Sequence, residues 1–300
     1  MPEGPSIKMT ADRLRTALEG QHITGVSSRL KKAALENWPI HIQGQLVTTV
    51  RSHGKNLFIE LANGYSIYTH MMMWGSWHTF APGQVWDKEA KLSRLVLETP
   101  ISVAVLFSAP VCELIAPDQL PQHKTTQLGP DLLAPDFDTA EVRHRLQLPA
   151  NADRDLGEAI MDQYIVAGIG NILKSEILFQ AGLHPQRPAG SLTEPEFADF
   201  IRYSLLLIQR SYELGGFNQA FLPDNLLPTS PTEIHGNNLG YVYRRRTKPC
   251  YICQTPIEMV RQGIGRRMTW YCPHCQPRAG LGLPIDQREL VVSNEAWAAS

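Results

Sequence analysis

Cys250-Tyr251-Ile252-Cys253 and Cys272-Pro273-His274-Cys275 are two Cys-x-x-Cys knuckles separated by eighteen residues. Each knuckle puts two thiolates on one tight turn, and the interval is the length of a β-hairpin that folds the second pair back onto the first. Four sulfur ligands leave no position for water. The spacing therefore predicts one structural zinc ion held by Cys250, Cys253, Cys272 and Cys275. Such a site contributes roughly 10 to 16 kcal/mol of apparent binding energy to a segment too small to fold alone. The metal builds a platform, whose purpose lies in what it displays. Between residues 240 and 278 stand Arg244, Arg245, Arg246, Lys248, Arg261, Arg266, Arg267 and Arg278 against one acid, Glu258. A local excess of seven positive charges in a chain at −1 leaves the remainder at −8. A charge run is more often a solvated face, but here Tyr241, Tyr243, Tyr251, Trp270 and Tyr271 interleave with it, and the pattern points to nucleic acid.

Working outward, 300 residues at 43% apolar and 19% charged content predict two or three domains. The longest apolar stretch, 101–107, is far too short to span a bilayer, and Met1-Pro2-Glu3-Gly4-Pro5 has neither a basic n-region nor an apolar core. The expectation is a soluble, cytoplasmic protein with no membrane partner. Cys112, in Val111-Cys112-Glu113-Leu114-Ile115, reads as a buried strand residue, and a reducing compartment suits zinc thiolates. Ile7, Ala11, Leu14 and Leu18 keep a helical period; β-type runs follow at 45–50, 56–61, 65–69, 92–97 and 101–107, with the hairpin signal Asn63-Gly64 among them. This predicts a β-sandwich. From 139 to 214 the pattern is helical, 215–238 reads as a long loop, and 276–300 as an appended tail.

Within the helical part, Asp162-Gln163-Tyr164-Ile165-Val166-Ala167-Gly168-Ile169-Gly170-Asn171-Ile172-Leu173 carries a glycine turn before a helix expected from Asn171 to about residue 181. A dinucleotide fingerprint fails because its third glycine position is Leu173. Asn171 could cap the helix, worth about 1 kcal/mol, or help the helix N-terminus hold phosphate.

Pro2-Glu3-Gly4-Pro5, Gly54-Lys55, Gly168-Ile169-Gly170-Asn171 with Glu176 and His184-Pro185 downstream, and the four-cysteine finger, in this order and spacing, resemble the bacterial formamidopyrimidine-DNA glycosylase and endonuclease VIII family. The match runs from residue 2 to about 276. It implies a multidomain α+β fold: a catalytic β-sandwich with an N-terminal helix over 1–130, a helix-two-turns-helix domain over 131–239, a zinc-finger β-hairpin over 240–277, and a tail over 278–300. DNA would lie across the cleft between the two halves of a monomer. The implied activity is base-excision repair of damaged DNA by a glycosylase that is also an abasic-site lyase, with zinc and no organic cofactor.

By this resemblance Pro2, exposed once Met1 is removed, attacks the anomeric carbon of the damaged nucleotide and forms a Schiff base. A terminal amine titrates near about 8, so about a quarter is unprotonated at pH 7.5, against ~0.1% of a lysine. Glu3 supplies the proton transfers. Lys55 reaches phosphate and target nucleoside. Arg267, five residues before Cys272, matches the finger-tip arginine, although Arg266 beside it competes for that place. The purine-directed branch fills the gap left by the flipped base with a methionine plus Arg and Phe from a second loop. Here that second loop is Ser108-Ala109-Pro110-Val111-Cys112-Glu113-Leu114, with neither, whereas Met72, Met73 and Trp74 stand together, as the wedge does in the endonuclease VIII branch. Oxidised pyrimidines are thus the expected substrates. Ser6 stands where relatives carry a second Glu, and Gln127 where they carry a basic phosphate contact, with Lys124 near enough to compensate. The alternative is a catalytically silent DNA-binding relative, which intact Pro2, Glu3 and Lys55 argue against.

Overall fold

The computed structural model describes residues 2–217, 221, 240–278 and 282–288. The chain folds as two compact units, Met1–Leu128 and Gly129–Ser300. Most of the expected 215–238 loop and the end of the tail lie outside the described residues.

The first unit opens with α1 (Gly4–Leu18), which turns Ile7, Ala11, Leu14 and Leu18 onto one buried stripe, as the 3.6-residue period requires. β1 (Gly25–Ser28) and two short helices, α2 (Lys31–Leu35) and α3 (Trp38–Ile42), lead into β2 (Val47–His53), β3 (Asn56–Leu61), β4 (Ser66–His70), β5 (Ser76–Phe80), β6 (Ser93–Glu98), β7 (Val103–Phe107) and β8 (Val111–Ile115). They form two antiparallel sheets, ordered β1-β6-β7-β5 and β2-β3-β4-β8, which are the expected β-sandwich. Alternation sorts the side chains. Leu57, Ile59 and Leu61 enter the central core with the apolar stripe of α1, whereas Phe58 packs on the opposite face with Tyr68 and Ile115. Cys112 is buried in β8, as expected, and burial pushes its thiol up to about 12. The runs read from sequence fall on β2, β3, β4, β6 and β7; β1 and β5 were not anticipated.

The second unit contains α4 (Thr139–Gln147), α5 (Pro149–Ala152), α6 (Leu156–Ala159), α7 (Asn171–Gln180) and α8 (Glu194–Glu213), followed by the hairpin β9 (Glu258–Gln262) and β10 (Arg267–Tyr271). α7 is buried at every position except Ile172. α8 starts on a reciprocal cap in which the Glu196 carboxylate accepts from the Thr193 N–H at 2.9 Å, and it stops where Gly215 turns left-handed. Among the described residues no helix is long and apolar enough to cross a membrane.

Candidate active site and nucleic-acid interface

Pro2 lies two residues before the start of α1, and Glu3, the extended N-cap residue of that helix, is fully buried. Ser6 resolves the missing second Glu. Its Oγ accepts from the Glu3 N–H at 3.0 Å and donates to the Glu3 carbonyl at 2.8 Å, clamping the backbone that carries both Pro2 and Glu3. Lys55 stands, half-buried, on the two-residue turn between β2 and β3, where Gly54 takes φ 54°. Asn56, a residue the sequence reading passed over, fastens that turn. It donates to the His53 carbonyl at 3.0 Å and accepts from the Tyr68 hydroxyl at 2.9 Å, buried on both sides.

Of the four residues in Met71-Met72-Met73-Trp74, Met71 goes into the core and the other three are 49%, 52% and 74% exposed. Their loop is built to present them. The Gly75 N–H donates to the Met71 carbonyl at 2.8 Å, Met72 sits at φ 48°, and the Met72 N–H donates to Nδ1 of His70 at 3.1 Å. Burial, with Lys55 and Lys124 nearby, pushes the His70 pKa down, which keeps the imidazole neutral and Nδ1 an acceptor. A Cβ on Gly75 would lie 2.8 Å from the Met71 carbonyl oxygen and 2.9 Å from Cα of Ala109, so this loop and the 108–110 turn between β7 and β8 meet backbone to backbone. Gln127 is exposed at the end of a single 3₁₀ turn. Lys124, the expected compensating base, is engaged elsewhere: it pairs with Glu113 at 3.1 Å and lies over the Tyr68 ring.

α7 begins one residue earlier than a cap by the Asn171 side chain would require. Gly170 is the N-cap, so Asn171 is the first helical residue and does not cap the helix. Its side chain is buried and its Oδ1 has no hydrogen-bond partner. An orphaned buried acceptor costs about 1 to 3 kcal/mol, which a donor from a ligand or water would offset. Gln163 holds the preceding glycine turn, accepting from the Gly168 N–H at 3.0 Å and donating to the Ile169 carbonyl at 3.1 Å. Five residues into the helix, the buried Glu176 carboxylate accepts from three successive N–H groups, Tyr241 at 2.8 Å, Val242 at 3.0 Å and Tyr243 at 2.8 Å. Burial pushes this carboxyl up against the opposing pull of those donors.

The four cysteine Sγ atoms lie within 4.8 Å of one another, with Cys250–Cys275 at 3.9 Å, Cys253–Cys275 at 3.5 Å and Cys253–Cys272 at 3.4 Å. A tetrahedron with about 2.3 Å metal–sulfur bonds has edges of about 3.8 Å, so the cluster fits a metal ion. The Ile252 and Cys275 N–H groups point at Cys250 and Cys272 Sγ, the knuckle arrangement for thiolates. Hydrogen bonds from Cys272 and Cys275 favour the Cys250 thiolate, while the same crowding raises Cys275; four thiolates need a cation between them. The hairpin tip is the turn Gly263–Arg266, closed by the Arg266 N–H to the Gly263 carbonyl at 3.0 Å. Arg266 occupies that turn at φ 44°, whereas Arg267 opens β10 opposite Gln262; both are exposed. One of the eight cations is not displayed. Arg245 is buried, its guanidinium 3.4 Å over the Tyr251 ring and bonded to the Tyr241 and Pro249 carbonyls, because its delocalised charge can stack and satisfy two backbone acceptors at once. The hairpin is seated on the helices through buried Gln262, which donates to Asp155 and to the Pro185 carbonyl, both at 2.9 Å.

Residues 1–109 match the model of the formamidopyrimidine-DNA glycosylase N-terminal domain, and residues 128–221 that of the formamidopyrimidine-DNA glycosylase H2TH domain. The chain is 33% identical to a probable endonuclease 8 2 of Streptomyces coelicolor, over 93% of this chain and 97% of that protein. It is 32% identical to endonuclease 8 of Salmonella schwarzengrund, over 92% of this chain and all of that protein. Among solved structures, Lactococcus lactis Fpg in complex with DNA containing an abasic site superposes with a TM-score of 0.73 at 21% identity, over 92% of this chain and all of that one. MutM in complex with DNA containing carbocyclic 8-oxo-G gives 0.73 at 23%, over the same shares.

Proposed function

The chain belongs to the formamidopyrimidine-DNA glycosylase and endonuclease VIII family, and from that premise we propose that it excises oxidised pyrimidines from DNA through a Schiff base on Pro2. It is a base-excision repair DNA glycosylase with abasic-site lyase activity. The observation that carries the Pro2 reading is the clamp at the start of α1: Ser6 fixes the backbone of Glu3, so the ring of Pro2 and a buried carboxylate are held one residue apart.

The Pro2 nitrogen attacks C1′ of the damaged nucleotide, the glycosidic bond breaks, and the base leaves with its electron pair. Glu3 delivers the proton that opens the sugar at O4′, leaving an iminium between Pro2 and C1′. Loss of a proton from C2′ then expels the 3′ phosphate, and a second elimination expels the 5′ phosphate. Lys55 and Arg267, with Arg266 beside it, bind the phosphates, Arg267 bidentately. Asn171, the first residue of α7, donates from its side-chain Nδ2 to a phosphate of the DNA backbone at the helix N-terminus, and Gln127 gives an exposed polar contact. The ion held by Cys250, Cys253, Cys272 and Cys275 is zinc; it fixes the hairpin that carries Arg261, Arg266 and Arg267, and takes no part in bond making.

Incubation with abasic-site DNA and borohydride tests this directly, since reduction converts the imine to a stable cross-link. A covalent complex is expected; its absence would leave a catalytically silent DNA binder as the better reading. The wedge sets the branch. Met72, Met73 and Trp74 form one exposed apolar loop, and extruding a paired nucleotide costs a few kcal/mol of stacking that such side chains replace. Thymine glycol or dihydrouracil is therefore expected to be excised at least about tenfold faster than 8-oxoguanine opposite cytosine, about 1.4 kcal/mol in transition-state stabilisation. Replacing Met73 and Trp74 by alanine should slow excision from duplex far more than from single strands. Equal slowing on both substrates would count against the wedge.

A further inference from the structure

The attacking amine and the departing base share one carbon, C1′, so the space that receives the base lies within a few bond lengths of Pro2. Within the first unit Pro2 borders a cavity of about 370 Å³ running between α1 and β5, the edge strand of its sheet. Its walls include Ser6 and Thr10 from α1, the core-side Met71, and Ser76, His78 and Asp87.

The polar wall of this cavity is organised. The Lys88 ammonium donates to Ser76 Oγ at 2.8 Å, Ser76 Oγ lies 3.0 Å from Nε2 of His78, and Nδ1 of His78 lies 2.7 Å from the Asp87 carboxylate. Asp87 accepting from Nδ1–H leaves Nε2 as acceptor for the Ser76 hydroxyl, so one arrangement satisfies every member. The imidazole is also braced edge-on against Phe107 and stacked on Phe80. No step assigned to Pro2, Glu3 or Lys55 uses these four side chains.

We propose that this relay is the base-reading wall of the enzyme, with the remaining lone pair of Ser76 Oγ accepting from the N3–H edge of the extruded oxidised pyrimidine and His78, Asp87 and Lys88 positioning that hydroxyl. The inference rests on Pro2 being the nucleophile. The chemistry matches. A pyrimidine saturated at C5–C6 is puckered and keeps its C2 and C4 carbonyls and N3–H; a glycol adds two hydroxyls. Such a ring, with an N3–H to donate, is better met by a fixed hydroxyl acceptor than by a flat aromatic slot. A base with no donor facing Ser76 Oγ forgoes that hydrogen bond and is disfavoured accordingly.

An abasic site has no base to read, so abasic-site cleavage is the internal reference. Single-turnover rates on dihydrouracil DNA and on preformed abasic DNA are compared for wild type, Ser76→Ala and Asp87→Asn; Asp87 is exposed, so its replacement spares the fold. The ratio of base excision to abasic cleavage is expected to fall at least tenfold in both variants. An unchanged ratio overturns the proposal, whether both activities fall together or neither does. Wild-type protein unable to cleave abasic DNA would instead remove the Pro2 reading beneath it, a result distinct from either.

Discussion

Protein that carries any residue ahead of Pro2, retained Met1 included, is expected to give no borohydride-trapped complex with abasic DNA. The nitrogen of Pro2 is then a tertiary amide, its lone pair delocalised into the carbonyl, and it cannot form an imine. Pro2→Gly with a free terminus, by contrast, should retain reduced trapping, since a primary amine of similar pKa stands at the same place without the rigid ring. The loss from blocking is complete in principle, limited only by background reaction of other amines. A cross-link that persisted in terminally blocked protein would transfer the nucleophile to a lysine, with half-buried Lys55 the first to examine.

Loss of the metal should be nearly as severe, and broader than a detached finger would predict. Cys253 is the least buried of the four ligands, so Cys253→Ser removes a thiolate with the least loss of packing. Yet the cysteines share one apolar cluster with Phe179 of α7, Tyr241, Ile257 and Trp270, and Gln276 donates to the Leu183 carbonyl at 2.7 Å. Roughly 10 to 16 kcal/mol of metal binding exceeds the whole stability of many domains. Chelation or Cys253→Ser is therefore expected to lower DNA affinity at least about a hundredfold, near 2.7 kcal/mol. It should also increase amide exchange in α7, while strands β2 to β4 keep their protection. Metal-free protein that bound and cut DNA normally would sink the structural role of the ion.

What was legible in the chain follows from how strongly each element is buried. α1 and strands β2, β3, β4, β6 and β7 announce themselves because a buried face forces apolar residues into a period or a run. β1 and β5 escaped although β2, an edge strand like them, did not, so edge position alone does not hide a strand. β1 has only four residues, none of them buried, and Ser76-Trp77-His78-Thr79-Phe80 mixes inward Trp77 with polar positions that line a cavity, so no clean alternation survives. The cysteine spacing was readable because metal geometry is local. Arg245 was not, since sequence gives the sign of a charge but not its direction, and nothing near it distinguishes a buried stacked guanidinium from its exposed neighbours Arg244 and Arg246. Ser6 read as a loss, and only its two bonds to Glu3 reveal what it contributes.

Glu176 and Gln180 stand one turn apart on α7. Glu176 grips the N–H groups of 241–243, and Gln180 donates to the Phe221 carbonyl at 3.2 Å. Phe221 and the 241–243 backbone are therefore held at neighbouring points on one buried helix. The helix is a common hitching post for two parts of the chain far apart in sequence: a change that loosens α7 is expected to release both together, and amide exchange at 241–243 would report it.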